Sequence, residues 1–485
     1  MDIFETTPYQ HQLNVWEKSW QAPYWGLLLD MGTGKSKVLL DTIAALADVR
    51  RISGALIVAP KGVYRNWETQ EIPKHFCSRI PRRVLVWEPA QTIAREQVRQ
   101  RFLLHEGGFP ILIMNVEALS TSRGTRYAEQ FLKAHCCLFA IDESSTIKNP
   151  SSARTKAAIA LARWAPYRRI LTGSPVTKSP LDVYAQARFL SPKAIGFNSI
   201  YAFRNHYAVT EKDFVTGTDG RRREFTNIVS YRRLDELHEV LQTFSTRILK
   251  ADCLDLPEKV YTTRHVPLSD QQRTLYESML QECIAEIEGC ALPSIATVVI
   301  TQILRLHQIV CGHLVTIDGK TVPIEHGRIT ALMELLRECS GKAIIWANYR
   351  HNLREIEAAI GKEYGAGSFV TYSGETAGKD RPDAVAQFQD MASPVRFFIG
   401  QPRTGGYGLT LTAATTVIYY ANSYDLEVRM QSEDRAHRIG QKSSVTYVDL
   451  LTPGTIDEKI VTALNTKAGL AAKVLGEQWR KLLLA

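Results

Sequence analysis

The stretch GLLLDMGTGKS, residues 26–36, holds residue types that could bind a phosphate chain. Gly32 and Gly34 permit positive φ and close backbone approach, so main-chain N–H groups from Met31 through Thr33 to Lys35 can point at phosphate oxygens. Lys35 would reach the β- and γ-phosphates of ATP, and Ser36 would ligate Mg²⁺. The long form of this pattern carries a glycine where the chain has Leu29, and a plain glycine turn between strand and helix is the competing reading. Asp142-Glu143 ends an apolar run, where one carboxylate can hold the metal and the next can polarise an attacking water. Gln431, Arg435 and Arg438 stand at i, i+4 and i+7 and, if helical, share one face. Planar cations in such a place can neutralise charge developing on the γ-phosphate. A surface helix paired to Glu433 and Asp434 is the alternative. Gln10, just ahead of the glycine loop, has an amide that can donate to and accept from one adenine edge, although alone it reads as a surface residue.

Positioning these groups requires strands whose carboxyl ends meet. Continuous apolar runs at 27–29, 55–59, 111–114, 137–141 and 170–171 alternate with helical spacing, which predicts a parallel sheet with ligands gathered beyond its carboxyl edge. Lys61 and Asn115 follow two of those runs; Thr172 and Ser174 follow a third, where their hydroxyls could sense the γ-phosphate or contact nucleic acid. Between 191 and 270 the pattern turns irregular, aromatic and basic. Phe214-Val215 and Glu224-Phe225 flank a turn as a hairpin whose tip carries Arg221, Arg222 and Arg223, either a DNA contact or a solvated charge run. Residues 271–312 read as helical. A second strand and helix series then begins with runs at 342–346, 396–399 and 417–420, giving an α/β chain of two parallel-sheet lobes.

A chain of 485 residues with 45% hydrophobic and 22% charged residues can build two or three sizeable cores. A net charge of +9 is compatible with a polyanionic partner. The eight cysteines include Cys136-Cys137 but no C-x-x-C spacing, which predicts a reduced cytosolic setting without structural zinc. No apolar run approaches a membrane span, and the first ten residues lack a basic-then-apolar leader, so a cytoplasmic location without membrane attachment is expected.

Taken in order, PYQ, DMGTGKS, LIVAPKGVYRNW, DESSTIKNP, LTGSP, AIIWANY, TGGYGLTLT and QSEDRAHRIGQ resemble the motifs of Swi/Snf-type ATPases of helicase superfamily two. The resemblance spans nearly the whole chain. It implies two RecA-like lobes joined by a flexible hinge: 1–255, with a basic hairpin insertion over 191–250, and 256–485, with a helical insertion over 270–325. It implies that Lys35 and Ser36 bind phosphate and Mg²⁺, Asp142 holds the metal, Glu143 activates water, Arg435 and Arg438 act as arginine fingers, and Gln10 reads adenine. Backbone-directed DNA contacts without sequence specificity are implied for Lys61, Asn115, Ser174, Asn348, Thr404 and Gly405. The chain departs from the family at Ser145, where histidine is usual, at Thr410 in place of asparagine and at Tyr424 in place of tryptophan.

The expected activity is a DNA-dependent ATPase, acting as a monomer, that moves along double-stranded DNA without separating it. A strand-separating or fork-remodelling helicase, with the basic hairpin as wedge, and a scaffold that binds ATP without turnover are the alternatives. Because the two lobes use almost all the residues, a compact bacterial or phage-like member, in the bacterial cytoplasm or an infected host cell, is expected.

Overall fold

The computed structural model describes residues 3–89, 92–104, 107–216, 222–289, 292–316, 318–377, 380–405 and 409–475. The chain forms two compact units. Met1–Ala208, Tyr231–Asp255 and Leu470–Gln478 belong to the first, Val209–Ser230 and Leu256–Gly469 to the second.

In the first unit the strands are β1 (Tyr24–Leu29), β2 (Gly54–Ala59), β3 (Arg82–Val86), β4 (Phe109–Asn115), β5 (Cys137–Asp142) and β6 (Tyr167–Leu171). It also holds β9 (Ser245–Ile248); the antiparallel pair that precedes β9 in the chain, β7 (Ala208–Thr216) with β8 (Arg222–Tyr231), falls almost wholly within the second unit. The seven-stranded sheet runs β3-β4-β2-β5-β6-β1-β9, and every neighbouring pair in it is parallel. Apolar residues on its central strands alternate between two cores because successive side chains leave opposite faces. Leu27, Leu29, Ile57 and Ile113 enter one core; Leu28, Leu56, Val58 and Met114 enter the other. Burial on both faces is why these strands are continuous apolar runs.

The second unit contains β10 (Lys259–His265), a short antiparallel pair β11 (His313–Val315) and β12 (Thr321–Pro323), β13 (Lys342–Trp346), β14 (Phe369–Tyr372), β15 (Phe397–Gly400), β16 (Ala414–Tyr419) and β17 (Val445–Leu451). Its six-stranded sheet is also parallel, in the order β10-β17-β16-β13-β15-β14. Ile345, Ile399 and Ile418 pack on one face, and Ile344, Phe398 and Val417 on the other.

The expected two parallel-sheet lobes are therefore present. β3, β9, β10, β14 and β17, together with the short β11–β12 pair, escaped the sequence reading. β3 is half-buried throughout and β10 largely exposed, because edge strands need not be uniformly apolar. The helical stretch appears as helices Asp270–Gly289 and Leu292–Val310. The hairpin is formed by β7 and β8, but residues 217–221 lie outside the described residues, and so does the reading made for Arg221. Arg222 and Arg223 open β8, and their side chains are likewise outside the description.

Candidate active site

The glycine loop joins β1 to the helix Lys35–Asp48. Gly32 has φ 80° and Gly34 φ 94°, both in the left-handed region, so the two glycines supply a turn that side-chain-bearing residues resist. Gly34 is the N-cap, which leaves the first N–H groups of that helix pointing out of the loop. Lys35, 9% exposed, donates from Nζ to the carbonyls of Leu29 at 2.8 Å and Asp30 at 3.3 Å. Ser36, half-buried, follows it in the first turn.

Strand register brings the acidic pair close to this loop. β6 lies between β5 and β1, with Leu171 opposite Asp142 on one side and Leu27 on the other. Asp142 Oδ2 accepts from Trp67 Nε1 at 3.1 Å, and Oδ1 from the Glu143 N–H at 3.0 Å. Burial pushes the Asp142 carboxyl above its usual range, and the neighbouring Lys35 ammonium pulls it back. Glu143 is a non-glycine residue at φ 48°, ψ 62°, a left-handed conformation that its surroundings must hold. Thr172 Oγ1 donates to Glu143 Oε2 at 3.4 Å.

Arg247, from β9, was not singled out in the sequence. Its Nη2 pairs with Asp30 Oδ1 at 2.8 Å, while Nη1 donates to the carbonyls of Leu28 at 3.1 Å and Gly173 at 3.0 Å. One guanidinium thus ties the end of β1 to the loop after β6. No strand was read over residues 245–248, so nothing in the sequence marked it.

The glutamine that meets the glycine loop is Gln12. Gln12 is 4% exposed, donates to the Thr33 carbonyl at 3.1 Å and accepts from the Tyr9 N–H at 3.1 Å. His11 Nε2 also meets the Thr33 carbonyl, at 2.9 Å. Gln10 is exposed and donates to Asn14 Oδ1 at 2.8 Å, so in this structure its amide meets Asn14 rather than the glycine loop. Helical periodicity carried the signal: Gln12, Val15, Trp16 and Ser19 form the buried face of the helix Gln10–Ser19, and Gln10 is not on it.

In the second unit the helix Leu426–Glu433 stops before the arginines. Gln431 lies on it, but Arg435 and Arg438 lie in the turns that follow, so the single helical face that would hold all three does not form. The two arginines converge nonetheless. Arg435 Nη1 donates to the Leu409 carbonyl at 3.2 Å and Arg438 Nη1 to the same oxygen at 3.0 Å. The Leu411 N–H donates back to the Arg435 carbonyl at 2.9 Å. Gln441 Nε2 fastens the far end of the turn to the carbonyls of Thr412, Ala414 and Ala436. On the other side, Glu433 pairs with Lys259 at 3.2 Å and accepts from Tyr261 at 2.7 Å, and the His437 ring meets the Pro257 carbonyl at 2.7 Å.

The positions expected to touch DNA fare differently. Lys61 is exposed at the end of β2. Asn115 uses its side-chain oxygen to cap the Ala118 N–H at 2.8 Å, and Asn348 donates to the Ala421 carbonyl at 3.1 Å. Ser174 is 6% exposed. Thr404 and Gly405 sit in the short helix Pro402–Gly405. Among the departures, Ser145 is buried, and Tyr424 accepts at its carbonyl from Lys467 at 2.6 Å.

The oxygen-only donor set of Ser36 and Asp142 suits a hard divalent cation, since an ionised carboxylate with two hydrogen bonds retains lone pairs. Among the described residues no cluster of three or more histidine, cysteine or acidic side chains could hold a metal by itself.

A family model described as "SNF2-related domain" matches residues 9–314, and one described as "Helicase conserved C-terminal domain" matches residues 327–440. The chain is 26% identical over 469 residues to the ISWI chromatin-remodeling complex ATPase CHR17 of Arabidopsis thaliana, covering 93% of this chain and 40% of that protein. It is 26% identical over 499 residues to the putative ATP-dependent helicase/translocase YwqA of Bacillus subtilis, covering 97% and 49%. The Sulfolobus solfataricus SWI2/SNF2 ATPase core, solved with dsDNA, aligns at a TM-score of 0.43 and 24% identity over 99% of this chain and 96% of that one. The chain thus spans less than half the length of these curated relatives.

Proposed function

The chain belongs to the SNF2-related family, and on that premise we propose that it hydrolyses ATP in response to DNA and moves along the duplex without separating its strands. The observation that carries this reading is a division of labour. The first unit holds the glycine cradle, Lys35 and the Asp142-Glu143 pair, while the second holds two arginines on one carbonyl.

In this reading the loop N–H groups and Lys35 bind the triphosphate, with Lys35 exchanging the Leu29 and Asp30 carbonyls for phosphate oxygens. Ser36 and Asp142 would hold Mg²⁺, which supplies charge neutralisation at the β- and γ-phosphates. Glu143 orients and polarises the attacking water. Arg435 and Arg438 release Leu409 and stabilise charge on the γ-phosphoryl group. Because phosphate-binding and charge-stabilising groups belong to different units, turnover would require the units to close, and each cycle of closing and reopening would advance the backbone grips on DNA. A monomeric state and a cytoplasmic location belong to the same proposal.

The test is steady-state ATP hydrolysis with and without duplex DNA, repeated with Lys35→Ala and Arg438→Ala. Stimulation by duplex and its loss in both variants are expected; unchanged turnover in either variant would remove the mechanism. The β7–β8 hairpin keeps a second reading in view, a strand-separating helicase with that hairpin as wedge. A fluorescent unwinding assay on intact and hairpin-deleted protein separates the two, since a pure translocase gives no signal in either.

A further inference from the structure

A circuit of hydrogen bonds, mostly buried and completed by the chain itself, links the acidic pair to the loop after β6. Ser144, fully buried, donates from Oγ to Gln186 Oε1 at 2.7 Å. Gln186, 1% exposed on the helix Val183–Leu190, donates from Nε2 to the carbonyls of Pro175 at 2.8 Å and Asp182 at 2.9 Å. Beside Pro175, the Ser174 N–H donates to Thr172 Oγ1 at 3.0 Å, and Thr172 Oγ1 donates onward to Glu143 Oε2 at 3.4 Å. Glu143 and Ser144 are consecutive, which closes the circuit.

Two features make this more than packing. The Gln186 amide uses its acceptor and both donors, and a buried amide is tolerated in an interior only when so satisfied. Glu143, the residue at which the ring closes, holds a left-handed backbone that its neighbours must enforce. We propose that Gln186 is a positioning residue for the Glu143 carboxylate, fixing its aim through Ser144 on one side and through Pro175, Ser174 and Thr172 on the other. The Thr172 hydroxyl has one proton. Accepting from Ser174 N–H leaves that proton for Glu143, so a shift of Pro175 is transmitted to the carboxylate.

This inference rests on the ATPase reading, and the experiment keeps the two apart. ATP turnover by the full chain with duplex DNA is measured for Ser144→Ala, Gln186→Leu, their double variant and Ser144→Thr, with thermal unfolding of each; Lys35→Ala serves as the control for the ATPase reading. A misaimed carboxylate lowers kcat about tenfold to a hundredfold while KM for ATP stays within about twofold, because positioning acts on the reacting geometry. Ser144→Thr, which keeps the hydroxyl, restores kcat. The double variant is no worse than the poorer single one, since both cut the same ring. Independent, multiplying losses of kcat would overturn the proposal, as would lowered unfolding temperatures with kcat unchanged. Should Gln186→Leu fail to fold, Ser144→Ala and Ser144→Thr decide by the same split. Wild-type turnover in Lys35→Ala would instead sink the ATPase reading.

Discussion

Arg435 and Arg438 share one acceptor, the main-chain carbonyl of Leu409, at 3.2 and 3.0 Å. A carbonyl holding two guanidinium groups keeps them side by side and pointing one way, and it can be exchanged for a phosphate oxygen that binds them more strongly.

Replacing either arginine by alanine is therefore expected to lower DNA-stimulated kcat by about 10³-fold or more, the range seen when a charge-stabilising arginine is lost. Lysine at either place should recover little, because it lacks the planar fork. Nucleotide affinity measured by equilibrium binding to the first unit's loop should change far less than kcat.

Gly34→Ala should weaken ATP binding and destabilise the protein by roughly 1–3 kcal/mol. At φ 94° a side chain is strained, and the added Cβ would run into the Gln12 amide. Adding Gln12→Ala removes the clash and leaves the dihedral strain, so the double variant should regain only part of the loss in chemical denaturation. Gln10→Ala, whose partner is the surface residue Asn14, should be near neutral in both assays.

Lys259 and Glu433 brace the arginine turn from β10. Burial disfavours the Lys259 ammonium, but Glu433 and Asp434 outweigh it and raise its pKa, while Lys259 and Arg429 hold the Glu433 carboxyl below its usual range despite burial. Lys259→Met leaves that carboxylate short of a partner and should cost ~3 kcal/mol in denaturant unfolding. The double variant Lys259→Met/Glu433→Gln should recover part of it. A fall in kcat beyond the loss of folded protein would show that the brace also places the arginines.

Acid should weaken the second unit through His307. Asp457 lies 3.5 Å from its Nε2, yet Arg328 already engages that carboxylate, and burial brings the imidazole down to about 4 from 6.5. The Tyr349 hydroxyl meets the other ring nitrogen at 2.8 Å. Between those two pH values the unfolded chain takes up a proton that the folded one refuses, so stability falls as pH falls through the window. The full contribution is about 3 kcal/mol. Urea unfolding at pH 7, 6, 5 and 4 should show this slope, and His307→Asn should reduce it, leaving the share of His313 and His75, which burial also brings down to about 4.

Much of the site was legible because its chemistry needs particular residue types next to one another. Glycines at positive φ, a lysine behind them and an acidic pair after an apolar run are local patterns, and the two glycines and the strand-end Asp142 lie as those patterns imply. Helix extent was less legible. The spacing of Gln431, Arg435 and Arg438 suits a helix, yet the helix ends at Glu433, and the turn beyond it is held by contacts to Leu409, Leu411, Thr412 and Ala414 from distant sequence.

By itself the sequence determined two α/β lobes, since strands buried on both faces must be written as unbroken apolar runs, and it determined the glycine turn after β1, since glycine takes that backbone without strain. The tertiary structure alone decided that Arg247 ties Asp30 to Gly173, that Gln186 closes a ring through Ser144, and that Leu409 gathers two arginines. Several of these bonds end on main-chain carbonyls. Every residue has such a carbonyl, so nothing in residue type reveals which one a distant side chain will find until the chain is folded.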